Sequence, residues 1–405
     1  MNLARLSQCL PEFNRNVWWV IVVNAAMQVI FNFVAIFVNL YWWNQGNPIY
    51  VVSFFNLYAT VALFASYGLG SYFLWRKDIR FVMLLSAVFA GLSFLGLFFY
   101  LTDLRVIFTV GIGLCFGSTQ GFFWAANNSS MYTVLPSDQW ADYFSMNTVI
   151  GQVIAVAIPL ASAGAVVWLG FRGSFLAMLV FVLAALAVSM RLPHRGLSEN
   201  LFSHIRYQEV FSRPGTPWIL AVVLASGIVN QFLTLFSMIY IFTVSTQVGV
   251  VAILNIGYSV ALFGALILYR RSSWTQDTWI MMGIALILAS YGLVFTMGPG
   301  SVITLVVLLM RVGGLYLSAA SGRQRYRVMM QGDVLWRTRL GLWMEIPFVL
   351  SRVGILVGAL FVRSLSGIHF IVLMLVSTAA LVLLPVLTRI AVGRFEAVHG
   401  VGAGL

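Results

Sequence analysis

Residues 56–64 read NLYATVALF, and residues 255–263, 199 positions later, read NIGYSVALF. The same asparagine opens both stretches and the same four apolar residues close them. At that offset Trp19 meets Trp218 and Asn32 meets Gln231. Four matching apolar letters alone would say little. A tryptophan, an amide, an asparagine and VALF held in one register across two apolar runs point to a duplicated unit. A chain of 405 residues has room for two such units.

The composition names the solvent of those units. Of the residues, 61% are hydrophobic and 8% are charged. A soluble domain carries about a quarter of its residues as charges, so this chain cannot cover a water-facing surface of the size its length requires. Lipid is the solvent that fits. Twelve stretches reach the ~20 apolar residues a spanning helix needs: about 17–42, 49–75, 80–101, 104–126, 144–168, 172–190, 217–243, 247–269, 278–297, 301–320, 342–362 and 368–388. Several are rich in Phe, Val and Ile, which alone would also allow strand. Their length and lack of period-two alternation argue for helix, because a barrel needs shorter alternating segments.

Orientation follows from the basic residues. Of 23 Lys and Arg, 18 lie in one set of loops and at the termini: Arg76, Lys77 and Arg80; Arg191, Arg195, Arg206 and Arg213; Arg270 and Arg271; Arg323, Arg325, Arg327, Arg337 and Arg339; and Arg5, Arg15, Arg389 and Arg394. Arg105, Arg172 and Arg363 lie near the opposite connections. Positive charge marks the cytoplasmic side, so both termini are expected there. Net charge +12 is spread through short loops, which argues against nucleic acid as a partner. Cys9 and Cys115 form no redox or metal motif. The longest polar connection divides the chain into a six-helix half at 1–192, a cytoplasmic linker at 193–216 and a second six-helix half at 217–405.

Twelve spans, a 6+6 parallel repeat and a cytoplasmic central loop resemble the major facilitator superfamily. The likeness covers essentially the whole chain, and residues 325–354, RYRVMMQGDVLWRTRLGLWMEIPFVLSRVG, are similar to a bacterial permease subgroup within it. The implied fold is all-α and polytopic, with two six-helix repeats. The family's loop between spans two and three has a glycine, an aspartate four residues on, then basic residues. Here Gly68 is followed by Tyr72 at that place, then Arg76, Lys77 and Arg80. A carboxylate gate at this helix end is therefore not expected.

The resemblance implies a central path lined by spans one, four, seven and ten. Span one carries Asn24, Gln28, Asn32 and Asn39. At about 100° per residue these fall near 0°, 40°, 80° and 60°, on one face. Lipid leaves amide groups unpaired, so that face looks into protein or water. The bland alternative is hydrogen bonding between helices, at ~0.6 kcal/mol per bond. Span four offers Gln120 and Trp124 on one face, with Asn127 and Asn128 toward its end. Span seven offers Asn230 and Gln231, and Asn255 follows in span eight. Tyr240 and Tyr316 are expected to line the outer and inner parts of the second half. Gln28, Asn32, Gln120, Trp124, Asn230, Gln231 and Tyr316 form the expected substrate contacts, together with one arginine.

That arginine is Arg311, in the run LVVLLMRVGGLYLS at 305–318. It lies about 15 Å into its span, near the midplane. Arg352 lies at similar depth in the next span. A charge there costs at least ~2.5 kcal/mol. The only acid well inside a span is Glu345, seven residues before Arg352. One carboxylate cannot neutralise two guanidiniums, so a net positive site is expected. An arginine fork suits carboxylate or phosphate. The alternative is an Arg–Glu network bracing spans ten and eleven. Glu345 and Arg352 are assigned to gating or coupling. Asp138 and Asp142 stand near the start of span five, favoured there by the helix dipole, and Asp142 joins the gating set.

No phosphate loop, HExxH or nucleophile elbow is present, so the chain is not read as an enzyme and no cofactor or metal is implied. The expected function is transport of a small organic or phosphorylated anion by alternating access, secondary active or facilitative. The alternatives are an exporter or flippase of an amphiphilic or drug-like compound, and a membrane scaffold that transports nothing. The expected partners are the substrate, membrane lipid and a coupling proton or counter-substrate, with the chain a monomer.

Overall fold

The computed structural model describes residues 13–45, 48–134, 139–196, 215–295, 300–329 and 334–399. Their secondary structure is helical throughout, with no strand among the described residues. Helix α1 spans Arg15–Phe33, passes through a π-helical stretch at Val34–Val38 and resumes as α2, Asn39–Trp43. Then come α3 (Pro48–Arg76), α4 (Ile79–Phe98), α5 (Arg105–Thr133) and α6 (Trp140–Ser189). The later helices are α7 (Thr216–Val244), α8 (Val248–Arg271), α9 (Gln276–Val294), α10 (Gly300–Met329), α11 (Val334–Ala359) and α12 (Ile368–His399).

Eleven of these segments are long and apolar enough to cross a membrane. Twelve were expected, and the difference is α6. Inside it Gly170 has φ 69° and ψ 176°. That left-handed conformation is open to glycine and cannot continue a helix. It separates 140–169 from 171–189, which restores spans five and six. The outward surface is apolar: Trp168 is 88% exposed and Ile107 68%. Large apolar residues so exposed on spanning helices need lipid. The chain is an integral membrane protein.

Two compact units form. The first takes Met1–Ala35 with Ala65–Asn200, and the second takes Ile36–Phe64 with Leu201–Leu405. In the first, Phe33 meets Phe94 and Phe175 edge-on at 5.9 and 6.2 Å, joining α1 to α4 and α6. The Ser86 hydroxyl donates to the Thr119 carbonyl at 2.7 Å, tying α4 to α5. In the second, Phe232 and Phe236 of α7 pack on Phe370 of α12 at 6.0 and 5.0 Å. Helices α9 and α10 cross at glycines: a Cβ on Gly313 would sit 2.8 Å from the Gly283 carbonyl oxygen. Neighbouring Gly314 lies against Leu233 of α7.

The repeat extends to hydrogen bonds. In α3, Asn56 Nδ2 donates to the Val52 carbonyl and Thr60 Oγ1 to the Asn56 carbonyl, both at 2.8 Å. In α8, Asn255 Nδ2 donates to the Val251 carbonyl at 2.8 Å and Ser259 Oγ to the Asn255 carbonyl at 2.9 Å. Each pair is 199 residues apart. Val61 and Phe64 face outward in one helix, as do Val260 and Phe263 in the other.

Candidate functional site

The second unit holds both arginines that the sequence places inside spans, and each is met by a neutral amide. Arg311 Nη2 donates to Asn255 Oδ1 at 3.1 Å, from α10 to α8. Its guanidinium also lies 5.0 Å from the centre of the Tyr258 ring. Tyr258 is steadied in turn by its hydroxyl, which donates to the Thr304 carbonyl at 3.4 Å. Asn255 is oriented by its own amide, already committed to Val251. Two neighbours thus fix the plane of the cation, and neither cancels its charge. Among the described residues no carboxylate pairs with Arg311. Its other donors have no hydrogen-bond partner there either.

Arg352 repeats the arrangement with another helix. Its Nε donates to Gln231 Oε1 at 2.7 Å, from α11 to α7, and its guanidinium lies 5.4 Å from the Phe348 ring. The two helices meet closely at Gly227, whose added Cβ would overlap the Ser351 hydroxyl. Glu345 has Arg352 and Arg325 as its electrostatic neighbours. Glu345 of α11 thus meets α10 through Arg325, and Arg311 takes no part in that network. The arginine of span ten turns to span eight, and the arginine of span eleven bonds to span seven.

The remaining expected residues divide. Gln231 is buried as the acceptor for Arg352, and Asn230 beside it is partly buried with no hydrogen-bond partner among the described residues. Tyr316 is buried against Trp279, ring centres 4.6 Å apart, in the packing of α10 on α9. Tyr240 is buried beside Phe370. In the first unit, Asn24 Nδ2 donates to the Tyr143 hydroxyl at 2.8 Å, a buried bond from α1 to α6. The Gln28 side chain lies over Gly151 of α6. Asn32 returns its amide to the Gln28 carbonyl at 2.9 Å. Asn128 donates to the Tyr67 hydroxyl at 3.3 Å, and Asn127 is buried. Gln120 is partly buried without a hydrogen-bond partner among the described residues, and Trp124 is 43% exposed beside Phe123. Asp138 and the Asp142 side chain lie outside the described residues.

The four-amide face of span one needs correction. The π-helical stretch lies between Asn32 and Asn39. Its wider turns advance each residue by less than 100°, so Asn39 leaves the face computed for an α-helix. Asn39 instead accepts from Asn56 Nδ2 at 3.0 Å, inside the second unit.

Two carboxylates that sequence reasoning passed over stand at the start of the third helix of each half. Asp78 caps α4 by accepting from the Phe81 amide at 2.7 Å, and its other oxygen meets His194 Nδ1 at 2.5 Å. Arg80 Nη1 reaches His194 Nε2 at 2.9 Å. Arginine only donates, so Nε2 accepts and Nδ1–H donates to Asp78. In the other half Asp277 receives Arg389 through Nη2 at 2.9 Å and Nε at 3.1 Å, and Gln324 Nε2 at 2.8 Å. Asp78 and Asp277 are 199 residues apart. The repeat register was the signal that would have found them. Each ties the start of its third helix to the chain that ends its half.

No protein-family model and no curated protein matches the chain. Solved structures do. The xylose transporter XylE from E. coli, in an inward-open conformation, is similar with TM-score 0.69 and 14% identity over 94% of this chain and 99% of that one. A POT family transporter in complex with 5-aminolevulinic acid gives TM-score 0.65 and 11% identity over 97% and 98%. A bacterial homologue of the iron transporter ferroportin, outward-facing, gives 0.63 and 14% over 93% and 98%. Nearly full coverage of both chains extends the likeness to all of the helices, and the chain has the major facilitator fold.

Proposed function

We propose that this protein transports a small organic or phosphorylated anion by alternating access, with Arg311 as the group that binds the anion. The observation that carries the reading is the charge at Arg311. It is held by an amide oxygen and an aromatic ring, with donors left over and no carboxylate paired among the described residues. A guanidinium kept uncompensated inside an apolar helix is costly unless a ligand supplies the negative charge. The fold supports transport, since the similar structures include a xylose transporter and a transporter in complex with 5-aminolevulinic acid. That diversity leaves the substrate to be argued from side chains.

Asn230, Gln231 and Tyr316 are the further contacts proposed in the second unit, and Gln28, Asn32, Gln120 and Trp124 those proposed in the first. Arg352, Glu345 and Asp142 serve gating or coupling. The protein acts in a bacterial inner membrane, in keeping with its likeness to bacterial permeases, with both termini in the cytoplasm, a side that the arginine distribution favours. Proteoliposome counterflow with pooled carboxylates and organic phosphates, with and without a pH gradient, tests this. Uptake of an anion that Arg311→Gln abolishes is the expected result. Uptake of only neutral or cationic amphiphiles would replace it with the exporter reading.

A further inference from the structure

Tyr258 brings a second poorly paired donor to Arg311. The residue is buried, and among the described residues its hydroxyl makes one hydrogen bond, to the Thr304 carbonyl at 3.4 Å. Such bonds are usually about 2.5–3.0 Å long, so this one is weak. The carbonyl it reaches lies inside α10 and already accepts from its own helix. Nothing among the described residues donates to Tyr258 Oη. A buried hydroxyl so poorly paired is costly.

The two unsatisfied groups are neighbours. The Arg311 guanidinium carbon lies 5.0 Å from the centre of the Tyr258 ring. A tyrosine oxygen stands about 2.8 Å from its ring centre, which puts Tyr258 Oη within about 8 Å of that carbon. One carboxylate or phosphate group, hydrogen-bonded to both donors, spans such a gap. Asn255 adds no carboxylate, and its oxygen is already taken by Arg311. What the three side chains leave over is N–H and O–H donors.

We propose that Tyr258 Oη donates a hydrogen bond to the anion that Arg311 binds, and that the site selects an oxyanion whose head carries acceptors alone: a 2-oxo acid or a phosphate monoester, in preference to a 2-amino acid. The ammonium of an amino acid would meet an uncompensated guanidinium and no carboxylate among the described residues. The carbonyl oxygen of a 2-oxo acid adds an acceptor in the same place. This rests on the anion reading above.

The experiment compares acids that differ at one carbon. Pyruvate with alanine, 2-oxoglutarate with glutamate and 2-oxoisovalerate with valine form three pairs, and glycerol phosphate is the phosphate probe. Each is titrated against the full chain in lipid nanodiscs, reading half-saturation from the shift in melting temperature. A 2-oxo acid or glycerol phosphate is expected to bind, and a 2-oxo acid that binds is expected to do so about tenfold more tightly than its amino partner. Tyr258→Phe keeps the ring beside Arg311 and removes the donor. It is expected to weaken the bound anion about tenfold. The melting temperature of the ligand-free protein is expected to stay unchanged, because the bond to Thr304 is weak. Arg311→Gln is expected to abolish binding.

An affinity unmoved in Tyr258→Phe, while Arg311→Gln abolishes binding, overturns the Tyr258 contact and leaves the anion reading intact. A melting temperature that falls in Tyr258→Phe without loss of affinity makes the hydroxyl structural and overturns the contact as well. Amino acids that bind as tightly as their 2-oxo partners overturn the selection, and that comparison needs only the unaltered protein should Tyr258→Phe fail to fold. Binding that survives Arg311→Gln, or no shift with any of the seven compounds, overturns the anion reading and this one with it.

Discussion

Arg311 reaches past its own helix to Asn255, Nη2 to Oδ1 at 3.1 Å, and finds there an oxygen with no charge. A carboxylate in that place would close an ion pair and leave nothing for a ligand. An amide orients the guanidinium while its positive charge stays uncompensated.

Arg311→Gln is therefore expected to fold with unchanged yield and to lose about tenfold or more in affinity for the anion. Arg311→Lys keeps charge without the planar fork, so affinity is expected to fall between the two. Folded yield by size-exclusion chromatography and half-saturation in nanodiscs measure both. If Arg311→Gln folds poorly and is rescued by removing an acid, the cation is structural.

Asn255→Leu separates orientation from charge. It removes the oxygen that holds Arg311 without touching the cation. Anion affinity is expected to drop several-fold, by about the worth of a hydrogen bond to a charged group. Asn255→Asp is expected to drop it further, because the new carboxylate competes with the ligand for the guanidinium. An Asp variant that binds anion as well as the unaltered protein would show that Arg311 is not the binding group.

Gly313 and Gly322 make a matched pair on one helix. A Cβ on Gly313 meets the Gly283 carbonyl and the Ile287 side chain at 2.8 Å, and backbone cannot step aside. Gly322 has open space around it. Gly313→Ala is expected to cost about 1–3 kcal/mol as overpacking. Gly322→Ala is expected to be neutral or to stabilise by about 0.5–1 kcal/mol through helix propensity. Melting temperatures of the two proteins give the comparison.

Water access distinguishes the amides. With Cys9 and Cys115 replaced, Gln120→Cys is expected to react with a small water-soluble thiol reagent. Asn24→Cys is expected to react far more slowly, since Asn24 is 4% exposed and bonded to Tyr143. Equal labelling at both positions would mean that α1 and α6 part in solution.

The arginine distribution predicts orientation independently of the site. A reporter fused after Gly215 is expected to read as cytoplasmic. An external reading would invert the topology and with it the proposed sides of gating.

Much of this molecule was legible in one dimension. Hydropathy and length gave the spans, because lipid tolerates only helices whose backbone groups are paired within themselves. The VALF and asparagine register located the repeat, because equivalent places in a duplicated fold keep the same local needs. Asn56 with Thr60 and Asn255 with Ser259 meet theirs with the same bonds to the preceding turn. Arg311 stood out because a permanent cation among apolar residues is expensive wherever the helix packs. What could not be read was the partner of each polar group. Glu345 is an electrostatic neighbour of Arg352, as its place in the sequence suggests, yet Arg311 bonds to a residue 56 positions away and the Arg352 hydrogen bond goes to one 121 positions away. Asp78 was passed over for the same reason, since its histidine lies 116 residues on. The π-helical stretch at Val34–Val38 turned Asn39 off its computed face with no glycine or proline to announce it. Periodicity along a chain reports which face of a helix is polar; which neighbour that face meets is decided by how the helices pack, and that information is in no single helix.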